Sequence, residues 1–295
     1  STDKIALFGE GQVYTDGKTG GFFLMGRGSG YFAPTEKPKS PCDLLTAYVG
    51  GGKLGGVYTD LITSYKNAAV VGEDFSYSPT DAEYAAAAAY ADKAVYIITR
   101  TAAEGSDVSD ANFYLNATER TQLKKVCAAF DGKPVIVVLN TGLMLNCGFA
   151  NGREEGIYAD AVLSAGYLGI RGTQVVCETL VGDINPSGKT ADTYAKLITD
   201  YPSYASFRES SAYTIYSEDI YVGYRYFETF GVDVDYEFGF GLSYTTFALS
   251  DYTYAESDGE ITVSVKVTNT GDVAGKEVVQ VYFGAPQKGV GSAVL

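Results

Sequence analysis

Three short runs, KIALFG at 4–9, AVYIITR at 94–100 and PVIVVLN at 134–140, are apolar at nearly every position rather than at every second one. A strand with one wet face alternates. A continuous run means that both faces are covered, as in a parallel sheet packed between helices. The segments between the runs supply the cover. DAEYAAAAAYADK (81–93) and NATERTQLKKVCAAFD (116–131) are rich in alanine or leucine, and the second opens on Asn116 with Glu119 three residues on, a helix cap with its reciprocal carboxylate. This βαβ rhythm predicts an α/β domain, a mostly parallel sheet flanked by helices, over residues 1–243.

Beyond residue 244 the texture changes. EITVSVKVTNTG and KEVVQVYFGAP are near-alternating, and the turn-rich TNTGDVAG between them predicts a β-sandwich hairpin. Residues 244–295 are about half of the roughly 100 that a seven-stranded sandwich takes, so the first strands of an incomplete all-β domain are expected there.

Composition removes whole classes of function. With 22 basic against 36 acidic residues the net charge is −14, the wrong sign for neutralising phosphates or anionic lipids, so neither nucleic acid nor a membrane surface is an expected partner. The apolar runs fall far short of the roughly 20 residues of a membrane span, and no charged-then-apolar leader opens the sequence. A soluble chain, cytoplasmic or secreted, is the expectation. Histidine is absent, which rules out Ser-His-Asp and Cys-His nucleophile systems within this chain and takes the imidazoles from the commonest zinc sets. Catalysis must then use carboxylates, lysine or tyrosine. Cys42, Cys127, Cys147 and Cys177 are widely spaced with no C-x-x-C pair and read as buried thiols. No metal and no cofactor is expected.

An open parallel sheet binds ligands beyond the carboxyl ends of its strands. The stretch TRTAAEGSDVSD puts Glu104 just past such an end. The glycine-rich loop EGQVYTDGKTGGFFLMGRGSGYF leaves the first strand at the same edge, which brings Ser29 within reach of a ligand near Glu104. On the residues alone a second reading stands beside this one, with the glycines serving tight turns and Glu104 a solvated loop acid. A dinucleotide site is the competitor suggested by Gly9 and Gly11. Its fingerprint needs a third glycine and a helix opening at that point, and Tyr14 occupies the third position.

Taken in order, GRGSGY, TRTAAEGSDVSD, VIVVLNTG, GDINPSGKT and YSEDIYVGYRYFETFGVDVDYEFGFGLSYTTF resemble glycoside hydrolase family 3, which includes β-glucosidases and β-xylosidases. The last, a tyrosine-rich run ending in Phe-Gly-x-Gly-Leu-Ser-Tyr, is the most specific. The resemblance covers nearly the whole chain and implies the family's α/β sandwich domain followed by the start of its fibronectin type III-like domain. It makes Glu104 the general acid/base, Ser29 a contact to the sugar, and Asp107 and Asp110 residues that shape the acid/base loop. The family's (β/α)-barrel, which carries the nucleophile, has no counterpart segment in this sequence.

The implied function is therefore part of a retaining, exo-acting β-glycosidase, a β-glucosidase acting on a β-linked glucoside or related oligosaccharide. A second polypeptide or segment would carry the barrel and the rest of the β-sandwich. The alternative is a non-catalytic carbohydrate-binding or scaffolding module of the same fold. Two departures bear on substrate identity. YLGIRGTQ stands where relatives often read Pro-Gly-Gln-Glu-Gly, and Phe240 fills a position inside the Phe-Gly-x-Gly motif that is often histidine or tyrosine.

Overall fold

The apolar runs form strands whose side chains are buried on both faces. In the computed structural model, which describes residues 2–14, 21–24, 38–69, 76–102, 107–207 and 210–284, β1 is Lys4–Phe8, β2 Gly56–Val57, β3 Lys93–Arg100, β4 Val135–Thr141 and β5 Ala161–Ser164. They make one sheet in the order β2-β1-β3-β4-β5, and every pairing is parallel. The register sets Phe8 beside Tyr96, Thr99 beside Asn140 and Arg100 beside Thr141. The carboxyl ends of β1, β3 and β4 therefore share one edge.

Helices α1 (Pro41–Gly50), α2 (Thr59–Ala68), α3 (Asp81–Tyr90), α4 (Ala117–Ala129) and α5 (Gly172–Leu180) accompany this sheet. Asn116 and Glu119 form the expected capping box of α4, and Thr80 with Glu83 forms an equivalent one on α3. Helix α3 stops at Tyr90, short of the predicted 93, because the backbone is recruited to the sheet: the Asp92 N–H donates to the Lys4 carbonyl and Lys93 opens β3. Phe8 stacks on Tyr84 of α3, with ring centroids 5.6 Å apart, and meets Phe130 edge-on. Phe8 and Phe130 are fully buried, each worth roughly 1.5–3 kcal/mol of burial. All four cysteines are buried free thiols, as the spacing predicts.

The described residues divide into two compact units, one within 1–182 plus 196–198 and the other within 183–195 plus 199–295. The second unit holds β6 (Tyr194–Ala195) paired antiparallel with β7 (Val234–Tyr236), the short helices α6 (Tyr204–Phe207) and α7 (Tyr224–Phe230), and a hairpin of β8 (Phe247–Ser257) and β9 (Glu260–Asn269). Gly231, at φ 61°, closes α7 in the left-handed conformation that suits glycine.

The hairpin differs from the one expected. EITVSVKVTNTG does form a strand, but its partner precedes it. Asp258 and Gly259 both have positive φ, 54° and 77°, and link Ser257 to Glu260 in a two-residue turn of the type I′ kind, whose twist suits an antiparallel pair. TNTGDVAG instead folds around Asn269, whose Oδ1 accepts from the Gly271 N–H and the Thr245 hydroxyl and whose Nδ2 donates to the Val273 carbonyl. Residues 276–284 join no strand ladder among the described residues. Side chains tie them to the unit, Lys189 to Glu277 at 2.9 Å and Gln280 Nε2 to the Gly239 carbonyl at 3.3 Å. Among the described residues no helix is long and apolar enough to cross a membrane.

Candidate active site at the carboxyl edge of the sheet

At the end of β1 the chain turns hard against β3. Gly9, at φ 81°, leaves no room for a side chain, since a Cβ there would strike the Ile97 carbonyl, and one on Gly11 would strike the side chains of Ile97 and Thr99. These two glycines therefore serve a single 3-10 turn, Glu10–Gln12, rather than the helix opening that a pyrophosphate needs. Buried Gln12 fastens the turn by donating Nε2 to the Leu7 carbonyl at 3.0 Å.

Strand β3 ends in a locked guanidinium. Arg100 is 8% exposed and grips the Glu119 carboxylate with both terminal nitrogens, the Nη2–Oε2 distance being 2.6 Å. It also donates to the carbonyls of Thr99 and Tyr114. Glu119 is the capping carboxylate of α4 as well, so one fork joins the strand end, the helix start and the returning loop. A bidentate pair of this kind fixes geometry more firmly than a point charge would.

Beyond Arg100, Tyr167 takes over. Its hydroxyl donates to the Arg100 carbonyl at 2.5 Å and accepts from the Ala102 N–H at 2.8 Å. On the far side of Glu104, the Ser109 hydroxyl accepts from the Ala111 N–H and caps the 3-10 turn Asp110–Phe113. Phe113 and Leu115 are buried, and the Phe113 carbonyl accepts from the Asn146 N–H at 2.7 Å. Asp107 is exposed and Asp110 half-buried at the head of that turn. Glu104 itself, like Ser29, lies outside the described residues. The structure gives the residues that flank each of them.

Those flanks meet. Fully buried Asn140, at the end of β4, accepts from the Phe23 N–H at 2.5 Å and donates to the carbonyls of Phe23 and Gly166, both at 2.8 Å. Phe23 belongs to the glycine-rich loop that continues to Ser29, and its ring stands edge-on to Tyr167 with centroids 6.4 Å apart. The Leu24 carbonyl accepts from the Gly169 N–H. The segment 166–169 thus touches both the strand end leading to Glu104 and the loop leading to Ser29.

Other parts of the sequence pattern explain themselves within the second unit. Phe240 donates its N–H to the Thr190 hydroxyl and packs its ring against Tyr236, while Lys189 donates to the Gly241 carbonyl. A Cβ on Gly241 would strike the Gly188 carbonyl. GDINPSGKT and the FGFG segment are therefore bound to each other.

With this geometry in place, residues 1–224 match the model of the glycosyl hydrolase family 3 C-terminal domain. The chain belongs to that family. β-Glucosidase A of Butyrivibrio fibrisolvens is 39% identical over 247 residues, 70% of this chain and 29% of that protein. The β-glucosidase of Ruminococcus albus is 36% identical over 288 residues, 92% of this chain and again 29% of the relative. The structure of β-glucosidase 3B from Thermotoga neapolitana in complex with glucose superposes with a TM-score of 0.78 at 32% identity, over 93% of this chain and 39% of that one. The family 3 chain thus spans under a third of the length of these two relatives. Within it, Asn140 and Tyr167 were not singled out by the sequence reading. The one available signal was an asparagine ending an otherwise apolar run, VIVVLN.

Proposed function

We propose that this family 3 chain supplies the acid/base half of a retaining, exo-acting β-glucosidase. Glu104 is the general acid/base, and Ser29 reaches the sugar. The nucleophilic carboxylate comes from a (β/α)-barrel domain on a partner chain or another segment. Residues 1–243 act as the α/β domain, and residues 244–295 begin a fibronectin type III-like one. The observation that supports this reading is the way the segment holding Glu104 is framed: it leaves the carboxyl end of β3 from a pinned residue, Ala102, and returns to a capped turn at Asp110. Ligands of open parallel sheets bind at that edge.

A retaining mechanism needs two carboxyl groups about 5–5.5 Å apart. The nucleophile attacks the anomeric carbon while the Glu104 carboxyl gives its proton to the departing glycosidic oxygen, leaving a covalent glycosyl ester. Glu104, now a carboxylate, then takes a proton from the water that attacks the same carbon, and the ester bond breaks to release the sugar.

In the active enzyme, this chain together with its barrel domain, Glu104→Gln should lower kcat/KM by about 10² to 10⁴ for alkyl glucosides. Activated aryl glucosides, whose leaving oxygen needs no proton, should lose far less. Equal losses for both substrates would overturn the assignment, and full retention of activity would favour the non-catalytic carbohydrate-binding module instead.

A further inference from the structure

We propose that Tyr167 is a positioning residue for the acid/base, its hydroxyl fixing the backbone from which the segment carrying Glu104 departs. This rests on the reading of Glu104 given above. One phenol oxygen bridges two points on the outgoing strand, donating to the Arg100 carbonyl at 2.5 Å and accepting from the Ala102 N–H at 2.8 Å. A hydroxyl has one proton to give and two lone pairs to fill. Burial raises the phenol pKa, and the hydrogen bond from the Ala102 N–H opposes that rise. The hydroxyl thus commits its proton and one lone pair to a single strand end, at the edge where open parallel sheets bind ligands.

The surroundings leave the ring little freedom. A Cβ on Gly142 would sit 2.8 Å from the Tyr167 Cζ and 3.0 Å from the Ala102 Cβ, so a bare glycine is needed for the tyrosine to fit. The preceding residue, Gly166, is held through its carbonyl by Asn140, which also holds Phe23 by both its N–H and its carbonyl. Asn140 and Tyr167 therefore tie the loop leading to Ser29 and the strand leading to Glu104 to a single short segment. A proton donor must be placed to within a fraction of an ångström, and a 1 Å error can cost on the order of 10²-fold.

The test is Tyr167→Phe in the active enzyme, beside Glu104→Gln as the reference. The ring and its packing stay, and only the bridging oxygen goes. The expected result is a kcat/KM loss of about 10- to 100-fold for alkyl glucosides and less than about a third of that for activated aryl glucosides, with a faster-exchanging Ala102 amide in the variant. A change in folded fraction alone would lower both substrates equally. Equal losses, or none, while Glu104→Gln keeps its leaving-group dependence, would overturn the role of Tyr167 and leave Glu104 in place. Equal losses in Glu104→Gln itself would remove the acid/base reading and this proposal with it. If the phenylalanine variant does not fold, 3-fluorotyrosine at 167 keeps the shape and alters only the hydroxyl's acidity. The same leaving-group dependence is then expected at smaller size, and its absence overturns the role.

Discussion

Glu10 stands at the mouth of the same edge, half-buried in the turn after β1. Burial raises its carboxyl pKa, with repulsion from Glu119 acting the same way. The Ser76 hydroxyl, the Tyr77 N–H and the Arg100 charge oppose the rise without cancelling it. The folded chain therefore holds this proton more tightly than the unfolded chain, whose glutamates titrate near 4.3. Its contribution to stability is fully present below that ordinary value and is lost as the pH climbs through the raised folded one. Glu10→Gln, neutral throughout, should raise the melting temperature of the first unit at pH 7 by roughly 1–3 °C and make no difference near pH 3.5. Calorimetry at the two pH values checks this, and a variant less stable at pH 7 would refute it. Glu83 is the opposite case. Burial would raise it, but hydrogen bonds from Tyr77, the Thr80 N–H and the Ser64 and Thr80 hydroxyls hold it at about 2, so its stabilisation is present at neutral pH and fades as the pH falls from the ordinary value towards 2. At this scale the sequence reads unevenly. Glu104 and Ser29 stand out because a motif carries them. Asn140 and Tyr167 do not, because their partners are 117 and 65 residues away and no local pattern records such a distance.

Elements were legible wherever their cause was local. β1, β3 and β4 follow from continuous apolar runs, and α4 follows from its cap at Asn116 and Glu119. The end of α3 was not legible, because the sheet rather than helix propensity sets it through the Asp92–Lys4 hydrogen bond. The hairpin was misplaced for a different reason. Alternation marks strands without naming their partners, and Asp258–Gly259, a dipeptide well suited to a two-residue turn, was the signal that chose between them. That turn is a point of weakness. An isolated two-stranded hairpin is marginal in water, and most residues of β8 and β9 are exposed. A β-branched residue at φ 77° costs about 1–2 kcal/mol. Gly259→Val should therefore abolish the NMR contacts between Tyr254 and Val263, which pair across the hairpin, while amide protection in β3 and β4 stays unchanged. Cross-strand contacts of undiminished strength would show that the turn does not hold the hairpin.

Across the whole molecule, stability is unequally shared. In the first unit the strands bury both faces, and Leu7, Phe8, Val137 and Phe130 are fully enclosed. In the second, β6 and β7 are two and three residues long, and large apolar side chains face water, with Tyr216 91%, Phe283 77% and Leu242 76% exposed. Burial of apolar surface is the main favourable term in folding, so two units so differently buried should not unfold as one cooperative whole. The expected outcome for the isolated chain is two transitions in urea, the second unit going first, with midpoints separated by about 1 M or more. Because the chain contains 25 tyrosines and no tryptophan, bulk fluorescence would blur the units, and residue-resolved NMR is the suitable probe. Ring signals of the Tyr201–Phe227 pair in the second unit should disappear before those of the Phe8–Phe130 pair in the first. Coincident loss of both ring pairs would mean that the two units are energetically one, and that the difference in their burial does not set the order of unfolding.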